Sequence, residues 1–497
     1  MSRIVRRTLL PGLLSCVLVA TGFAQDHAPA VNPVMILPFV LLLLAIAVAP
    51  FINKKWWEQH YPHVAVGLGA ITVAYYLFVL RNPVRLLQSG MEYISFIVLI
   101  GSLFVVAGGI HIRLRGRSTP VSNVALLGIG AVIANIVGTT GASMILIRPY
   151  LRVNRYRIRP YHVVFFIFVV SNMGGALTPI GDPPLFLGYL KGIPFFWVAE
   201  ALWYKWALGM FLVLGIFYAI DARSFVGLPK GIRHEAEGKG EEGSVEGLHN
   251  IVFLVMILIA VFITNPPFVR EGLMILAALG SYVLTKPEIH EKNDFNFHPI
   301  KEVAFLFVGI FATMIPALDW LELNAASIGI QTPGQFYWAC GSLSSVLDNA
   351  PTYLNFLAAS FGLFVNSEIV RQVQHLVQTH GADLSLISGS YAGEIKNTYE
   401  TLVKYHYDLV VAGSVPWDEI ATAYMIGNHQ IYLQAISIAA VFFGSMTYIG
   451  NGPNFMVKSI ADQAGVKMPS FFGYVVRYSI PVLIPIFAIT WLFFFRG

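Results

Sequence analysis

The sequence contains one apolar stretch that an unbroken helix cannot cross, at residues 171–184. It reads SNMGGALTPIGDPP and lies inside a longer apolar run from about 161 to 190. Pro179, Pro183 and Pro184 each lack a backbone N–H, and each proline ring clashes with the preceding helical turn. The stretch therefore predicts a helix that stops and restarts. In hydrocarbon such a break survives only where protein or a bound polar group satisfies the freed backbone atoms.

A second copy of this break lies near the C-terminal end of the chain. Residues 445–454 read SMTYIGNGPN, and residues 447–453 align without gaps on residues 178–184, which places Asn451 opposite Asp182. Two broken helices in corresponding halves of a membrane protein are typical of a transporter and point to its binding site. An acidic residue inside a membrane costs about 2.5–3.5 kcal/mol on insertion scales, so we expect Asp182 to have a function.

The composition is that of a membrane protein built from helices. Of 497 residues, 56% are hydrophobic and only 12% are charged, which is typical of a polytopic all-α membrane protein in a lipid bilayer. The net charge of +5 does not indicate a nucleic-acid partner, because the basic residues lie between apolar spans. Cys16 and Cys340 lie far apart in apolar stretches, so we expect neither a disulfide framework nor a thiolate metal site.

The N-terminal segment has the layout of a secretory signal peptide. Arg3, Arg6 and Arg7 precede an apolar stretch that ends in small residues at 22–24. We predict a signal peptide, or alternatively an uncleaved first helix, over residues 1–24. Either interpretation places the following residues outside. Laying down the later spans in alternation then predicts a multi-pass protein of a bacterial-type inner membrane with its C-terminus outside.

Two apolar stretches are predicted to enter and leave the membrane on one side, as re-entrant hairpins. Residues 121–147 have arginines at both ends, and basic residues favour the cytoplasmic side, so both ends belong inside. Residues 333–363 have no closely flanking basic residue and read as a hairpin that opens outward. The two tips align with Thr139 opposite Asp348. The alternative for residues 121–147 is an ordinary span followed by a misplaced basic loop.

The segments fall into two halves of opposite membrane orientation. Each half reads as helix, helix, re-entrant hairpin, broken helix and helix, which is an inverted repeat. We predict a first membrane repeat with an extra N-terminal helix at residues 33–220, a cytoplasmic linker at 221–250, and a second membrane repeat with an extra helix at 251–497. Residues 366–419 are too polar to cross and are predicted to form an extracytoplasmic insertion.

The four tips of the hairpins and broken helices are predicted to meet at the bilayer midplane. They contain Asp182 and Asp348 but no lysine, arginine or histidine. Two carboxylates in a low-dielectric site hold either protons or a cation, so these two are also the candidate sodium ligands. His429, at the start of the second broken span, is a candidate proton relay. The candidate ligands for substrate or ion are Thr139, Thr140, Ser143, Asn172, Thr178, Gly181, Asp182, Asp348, Asn349, Thr352, Thr447, Gly450, Asn451 and Asn454.

Competition between protons and a cation for one carboxylate pair is the minimal requirement for antiport. We expect no catalytic residue and no cofactor, and sodium and the proton as the transported ions. The tips lack the arginine that a tricarboxylate or phosphate favours, although backbone N–H groups with Thr and Asn side chains can also hold a carboxylate. An intramembrane aspartyl protease is disfavoured because Pro179 occupies the first glycine position of its Gly-x-Gly-Asp signature. Paired hairpins and inverted breaks favour alternating gates over a channel.

Two motifs resemble the paired signatures of the ion-transporter superfamily. They are Thr178-Pro179-Ile180-Gly181-Asp182-Pro183 and Leu347-Asp348-Asn349-Ala350-Pro351. They are most similar to those of NhaD-type sodium/proton antiporters and of related proteins labelled citrate transporters. The resemblance covers the architecture of nearly the whole chain after about residue 33. It implies two hairpins, two interrupted helices, a scaffold of the kind that forms homodimers, and elevator-like alternating access.

The chain departs from the family patterns at the tips. Carboxylate carriers of the superfamily have a Ser-Asn-Thr signature at both hairpin tips, whereas this chain has Gly138-Thr139-Thr140-Gly141 and Leu347-Asp348-Asn349-Ala350. NhaD-type proteins tend to follow Gly-Asp-Pro with threonines, whereas this chain has Pro184-Leu185-Phe186. From the two aspartates at the tips and the absence of a basic residue there, we expect a sodium (or lithium)/proton antiporter. The alternatives are sodium- or proton-coupled symport of citrate or a dicarboxylate, and arsenite export.

Overall fold

The computed structural model describes residues 29–113, 117–237, 243–263, 266–379 and 389–496. The predicted signal peptide, residues 1–24, lies outside the described residues. Within them the chain is almost wholly helical, and two short strands, β1 (His111–Arg113) and β2 (Ser244–Glu246), pair antiparallel. The predicted all-α polytopic class is confirmed.

The helices of the first half extend from the N-terminal side to the short helix before β2. They are α1 (Leu37–Ile52), α2 (Lys54–Ala74), α3 (Pro83–Gly108), α4 (Pro120–Val153), α5 (Pro160–Val169), α6 (Pro183–Leu190), α7 (Phe195–Val226) and α8 (Lys230–Glu237). A 3-10 turn precedes α1 at Pro33–Ile36, another follows α5 at Met173–Gly175, and a π-helical turn extends α2 at Tyr75–Val79.

The helices of the second half follow β2. They are α9 (Asn250–Val261), α10 (Val269–Leu284), α11 (Pro287–Lys292), α12 (His298–Asn324), α13 (Pro333–Ser344), α14 (Asn349–Phe364), α15 (Ser367–Gln378), α16 (Ala392–Tyr405), α17 (Tyr407–Val411), α18 (Trp417–Phe443), α19 (Gly452–Gln463), α20 (Phe471–Tyr474) and α21 (Ile480–Phe494). Short 3-10 turns lie at Ala325–Ile328 and Gly444–Met446, and a π-helical turn at Val475–Ser479 joins α20 to α21.

By length and composition, seven helices of the described chain could cross a membrane. One of them, α4, folds back instead. Asn123 and Asn154 lie near its two ends, and their side chains exchange two hydrogen bonds of 2.9 Å. A straight helix would separate these residues by about 46 Å at 1.5 Å per residue. The predicted hairpin over residues 121–147 is therefore confirmed, and the alternative of an ordinary span is wrong.

The turn of this first hairpin is Gly138. Its φ of 76° and ψ of 156° lie in a region that is essentially open only to glycine, so one residue reverses the chain. The hairpin starts with Thr119, whose side chain accepts a hydrogen bond from the N–H of Ser122, followed by Pro120 at the first helical position. Both features are favoured at a helix N-terminus.

α13 and α14 form the second hairpin, with residues 345–348 as its turn. The ring centroid of Phe336, near the start of α13, lies 6.2 Å from that of Phe356 and 6.4 Å from that of Phe364, near the end of α14. The two free ends of the hairpin are therefore at the same side. Thr332 and Gln335 form a capping box that starts α13. The second predicted hairpin is confirmed.

The two hairpins enter from opposite ends of the molecule. The base of the first lies near the C-terminal end of α7, where Asn123 donates a 3.1 Å hydrogen bond to Asp221. The base of the second lies beside Phe495, whose ring stacks on Tyr337 at 5.0 Å. The Nζ of Lys205, nearer the start of α7, is 5.8 Å from the ring of Phe495. The two bases are therefore separated by about 24 Å along α7.

Both predicted broken helices are also confirmed. The first consists of α5, the 3-10 turn at Met173–Gly175 and α6, and the second consists of α18, the turn at Gly444–Met446 and α19. The second part of each starts directly after Asp182 or Asn451, with a proline in its first turn, where no helical hydrogen bond is lost. Because α5 and the last eleven residues of α18, 433–443, are buried, the breaks lie at the centre of the protein.

The remaining helices form a layer beside this centre. We call α1, α2, α3, α9, α10 and α12, which pack against one another, the scaffold. We call the two hairpins, the two broken helices, α7 and α21 the transport unit. The first hairpin packs on α3 and the second on α12, so each half places its hairpin against one long scaffold helix.

One predicted boundary and the conformation of the linker differ from the structure. α7 continues to Val226, past the predicted start of the linker at residue 221, because Asp221 is buried among hydrogen-bond donors. The described part of the linker is not free chain: it forms α8 and β2, and β2 pairs with β1. The predicted insertion at 366–419 contains α15, α16 and α17, of which α15 and α16 pack on α18. The membrane side of the linker and the insertion stays a prediction.

Candidate transport site

Asp182 lies at the point where all four tips meet. It is fully buried, and its carboxylate accepts three hydrogen bonds. Thr139 Oγ1 and Asn451 Nδ2 donate to Oδ1 at 2.8 and 2.9 Å, and Asn349 Nδ2 donates to Oδ2 at 2.7 Å. These donors come from the first hairpin, the second broken helix and the second hairpin. The predicted convergence of the tips is confirmed.

The two halves build the site with the same backbone contacts. Thr178 Oγ1 donates to the carbonyl oxygen of Asn135 at 2.7 Å, and Thr447 Oγ1 donates to that of Ser345 at the same distance. The same two hydroxyls accept hydrogen bonds from N–H groups three residues further on, at 3.0 and 3.1 Å. A pseudo-twofold axis therefore relates the two halves at atomic detail.

These contacts correct the alignment of the hairpin tips by one residue. Asn135 and Ser345 receive equivalent hydroxyls, so Thr139 corresponds to Asn349 and not to Asp348. The gapless alignment of the tips was wrong because it matched residues with similar side chains. The structural equivalence of two residues depends instead on which carbonyl oxygen of each hairpin accepts the hydroxyl of the broken helix. Asp182 then corresponds to Asn451, with Thr139 and Asn349 on either side.

Gly181 and Gly450 are required by the close approach of the chain within each break. A Cβ on Gly181 would lie 2.1 Å from the carbonyl oxygen of Gly175, and one on Gly450 would lie 2.6 Å from that of Gly444. Both distances are far inside van der Waals contact, and the opposing atoms are backbone. The absence of a side chain at these two predicted residues thus lets the chain fold back on itself. Their backbone groups form hydrogen bonds with Thr178, Thr139 and Thr447.

Four helical segments start beside the carboxylate of Asp182. They are the second arm of α4 after Gly138, α6 after Asp182, α14 after Asp348 and α19 after Asn451. A helix N-terminus carries partial positive charge on its unpaired N–H groups, so four of them favour negative charge here. Within the described chain, no lysine, arginine or histidine donates a hydrogen bond to Asp182. Amide and hydroxyl groups and helix dipoles stabilise this carboxylate.

Asp348 does not share the hydrogen bonds of Asp182. It is half-buried and caps α14, with its Oδ1 accepting a 3.0 Å hydrogen bond from the N–H of Ala350. Aspartate is among the residues most favoured at that position, which explains its presence without a role in ion binding. The expected paired-carboxylate cluster is not formed by direct contact. In the described residues no group of three or more His, Cys, Asp or Glu side chains could hold a metal ion.

A second layer of amides joins the two breaks. Asn172 Nδ2 donates to Asn454 Oδ1 at 2.7 Å, and Asn454 Nδ2 donates to the carbonyl oxygens of Gly444 and Thr447 at 2.8 and 2.9 Å. Asn451 Nδ2 also reaches the carbonyl oxygen of Ser171 at 3.2 Å. This layer fixes the position of the two helix starts relative to each other.

Two amide oxygens at the site have no hydrogen-bond partner. They are Asn172 Oδ1 and Asn349 Oδ1, and both are buried. A Cβ on Gly444 would lie 3.1 Å from Asn172 Oδ1 and 3.3 Å from Asn349 Nδ2, so the two amides line one small space. Buried polar atoms are rarely left unpaired. Together with the carboxylate of Asp182, these oxygens suit a small hard cation.

The structure places the remaining predicted residues at or away from this centre. Ser143 Oγ is 2.8 Å from Ser171 Oγ, and Thr352 Oγ1 donates to the carbonyl oxygen of Asp348 at 2.9 Å. Thr140 lines a cavity of only about 30 Å³ between the first hairpin and α3. His429 lies at the base of the second hairpin, where its ring stacks on Phe364 at 4.8 Å.

His429 therefore does not contact the tips. Its Nε2 is 3.3 Å from the hydroxyl of Tyr424, whose hydroxyl donates in turn to Glu394 in α16 at 2.7 Å. Sequence reasoning also missed Asn135. Its Nδ2 donates to the carbonyl oxygen of Gly174 at 2.6 Å, and its Oδ1 accepts from the N–H of Leu177 at 2.8 Å. An amide in the apolar arm of a hairpin is the signal that would have found it.

A family model described as "Putative citrate transport" matches residues 28–495 of the chain. No curated protein matches the sequence.

Proposed function

This chain belongs to the "Putative citrate transport" family, and we propose that it carries a small carboxylate of the citrate class across the membrane together with sodium or a proton. The observation that supports this proposal is the environment of Asp182. Donors from the other three tips and the starts of four helical segments surround this one carboxylate, and no basic side chain of the described chain donates to it.

The site can bind a carboxylate only when the charge of Asp182 is offset. Two carboxylates about 4 Å apart repel by about 4 kcal/mol at an effective dielectric constant of 20. A proton on Asp182, or a cation between Asp182 and the unpaired oxygens of Asn172 and Asn349, removes this repulsion. Binding of the cation and binding of the anion then favour each other, which is the thermodynamic basis of symport.

The carboxylate of the substrate would use the donors that already surround Asp182. Helix N-termini and the side chains of Thr139, Asn349 and Asn451 can donate to an anion without an arginine. Because both halves of the inverted repeat supply these groups to one transport unit, movement of that unit against the scaffold would open the site to alternate sides.

The test is uptake of labelled citrate into proteoliposomes. We expect an inward sodium or proton gradient to drive uptake, and we expect Asp182→Asn to abolish the dependence on that gradient. The matched control is Glu368→Gln, since Glu368 is an exposed acid in α15 and belongs to none of the four tips. Citrate uptake that needs neither gradient, or that is equally driven in Asp182→Asn, would contradict symport through this site.

A sodium (or lithium)/proton antiporter is the second candidate. It is favoured by the single buried carboxylate with oxygen-bearing neighbours and no basic partner, which could hold a proton and a cation in turn. For this candidate, sodium or lithium added to everted vesicles should dissipate a preformed pH gradient without any carboxylate present. If the added cation leaves the pH gradient unchanged and a cation gradient drives citrate uptake in the same vesicles, the result supports symport alone.

A further inference from the structure

A cavity of about 460 Å³ lies between the scaffold and the second hairpin. Leu321 and Ile328, at the end of α12 and in the turn after it, form one wall. Ala339, Leu343 and Phe356, on the two arms of the hairpin, form the other. None of the groups that bond to Asp182 lines the cavity, so it is separate from the transport site.

The lining of this cavity is uncharged. Its only polar side chains are Ser342 and Asn355, and Asn355 Nδ2 already donates to the carbonyl oxygen of Pro351 at 2.7 Å. A water molecule needs two to four polar partners to stay in a cavity, whereas an apolar cavity stays dry and takes up apolar guests. The occupant that fits this lining is an uncharged hydrocarbon.

The size of the cavity fits one long hydrocarbon chain. An engineered protein cavity of about 150 Å³ holds one benzene molecule, so a cavity about three times as large has room for about eighteen carbon atoms. That is the length of a typical acyl chain in a membrane lipid. The walls extend from Ile328, at the base of the hairpin, to Ser342 near its tip, so the space is elongated along the hairpin arms.

The cavity is continuous with the apolar outer surface. Leu343 at its rim is 48% exposed, Ile328 is 37% exposed, and the neighbouring Val346 is 49% exposed. In a bilayer such a surface faces lipid. An acyl chain can therefore enter sideways from the surrounding membrane without crossing a polar layer.

A much smaller cavity lies between the tip of the first hairpin and α3. Its lining includes Leu99, Leu103 and Phe186, and its volume is only about 30 Å³.

We propose that this cavity binds one acyl chain of a membrane lipid. One wall belongs to the scaffold and the other to the transport unit, so the bound chain contacts both. Burying one methylene contributes about 0.8 kcal/mol of binding free energy relative to water. A lipid chain in the bilayer is already out of water, so its binding free energy comes instead from van der Waals contacts with cavity walls that would otherwise face a void. The bound acyl chain stabilises the arrangement of scaffold and transport unit seen here.

The direct test is photolabelling of the full-length protein in lipid nanodiscs. The probe is phosphatidylcholine with a photoreactive diazirine in one acyl chain. We expect mass spectrometry to find label concentrated on the peptides that contain Ala339, Leu343 and Phe356. Ala339→Trp fills the cavity and should reduce this label to the level of the lipid-facing surface. The matched control is Ala70→Trp, at an exposed position of α2, which should leave the label unchanged.

Each other outcome contradicts the proposal. Label spread evenly over the exposed apolar surface, or label at Leu343 that persists in Ala339→Trp, means that no chain occupies the cavity. Protection of these peptides from lipid label, together with a dimer that Ala339→Trp dissociates, means that a second copy of the protein covers it. If Ala339→Trp does not fold, Ser342→Trp at the exposed rim takes its place.

Thermal unfolding gives a second readout. A ligand that binds only the folded protein raises its stability by mass action. Adding phosphatidylcholine to detergent-purified protein should therefore raise the Tm of the wild type and of Ala70→Trp, and should raise that of Ala339→Trp by less. An equal rise in all three proteins would show that the lipid acts on the surface in general and not through the cavity.

Discussion

The proposed mechanism depends on the carboxylate of Asp182. Its pseudo-symmetric counterpart is Asn451, and the side chains of Thr139 and Asn349 lie on either side of the pair. A residue on one side of a pseudo-twofold axis can in principle be replaced by its counterpart on the other side. The axis therefore makes a prediction about where the charge is needed.

We expect the exchange Asp182→Asn with Asn451→Asp to restore part of the gradient dependence that Asp182→Asn abolishes. The exchange keeps one carboxylate and one amide at the axis, with the same donors beside them. Asn451→Asp alone places two carboxylates together and should weaken citrate binding at neutral pH. The measurement is gradient-driven citrate uptake for the four proteins. A double variant no better than Asp182→Asn would show that the two positions are not equivalent.

Gly181 gives a second prediction at this scale. In Gly181→Ala the new Cβ would lie 2.1 Å from the backbone oxygen of Gly175, so the break cannot close and we expect loss of folded protein or of uptake. The control is Gly452→Ala, since a Cβ at Gly452 meets nothing within 4 Å. Size-exclusion chromatography and citrate uptake check both variants. Normal uptake in Gly181→Ala would mean that the chain within the break is looser than described.

Some site residues could be predicted from the sequence and others could not. Asp182 and Asn451 follow from the breaks, because prolines and glycines in an apolar run leave little choice of structure. Asp348 could not be assigned, because an aspartate before a helix is favoured equally as a cap and as an ion ligand. Asn135 could have been singled out as an amide in an apolar arm, but its partners could not be predicted, since they are backbone groups of Gly174 and Leu177 on another element.

At the scale of elements, the first hairpin is fastened at its base by buried charges. Arg157 donates to both carboxylate oxygens of Asp221, at 2.5 and 2.8 Å, and the hydroxyl of Tyr161 donates to Asp221 at 2.6 Å. Asn123 and His162 also contact this carboxylate. The cluster joins the hairpin, the first broken helix and α7 at one end of the molecule.

We expect Asp221→Ala to destabilise the protein by about 3–5 kcal/mol, because it leaves the guanidinium of Arg157 buried without its partner. Glu400→Ala is the matched control. It removes an exposed pair with Lys396, and such a pair contributes about 0–1 kcal/mol. Thermal unfolding in detergent measures both. Equal shifts in Tm for the two variants would show that the buried cluster contributes no more than a surface pair.

The hairpins could be predicted because charge and chain direction constrain them, whereas the linker could not. Arginines at both ends of residues 121–147 require both ends on one side. Nothing local distinguishes Val245, in β2, from free chain, since its strand exists only by pairing with Ile112 in β1. Short strands of this kind depend on contacts far along the sequence, which a local pattern does not contain.

At the scale of the whole molecule, two ion pairs join the transport unit to the scaffold side of the protein. Lys191, at the end of α6, donates to Glu92 in α3 at 2.6 Å, with about a quarter of each side chain exposed. Arg148 in the first hairpin and Asp294 in the loop before α12 form a 3.0 Å pair. Elevator-like movement of the transport unit would require the Lys191–Glu92 pair to break.

We therefore expect Glu92→Gln and Lys191→Met to lower the population of the arrangement seen here. A partly exposed pair contributes up to about 1 kcal/mol, which corresponds to about a fivefold change in population. Distances between spin labels on α3 and α6 would report the change, and the exchange Glu92→Lys with Lys191→Glu should reverse it. Unchanged distances in both single variants would mean that this pair does not hold the two units together.

The inverted repeat as a whole could be predicted, because it follows from the order of hairpins and breaks. The homodimer and the membrane side of the C-terminus and of the insertion stay predictions. Contacts within a single chain do not test these predictions. The register of the repeat required the structure, since a shift of one residue changes which side chain faces Asp182 without changing the pattern of elements.

The central claim is that a cation and a carboxylate bind together through Asp182, and calorimetric titration of citrate into the purified protein tests it most directly. Linkage requires the affinity for citrate to rise with sodium concentration, or as pH falls, in the wild type. The same titration of Asp182→Asn should give an affinity that does not change with either. A wild-type affinity for citrate that is independent of both sodium and pH would contradict the account.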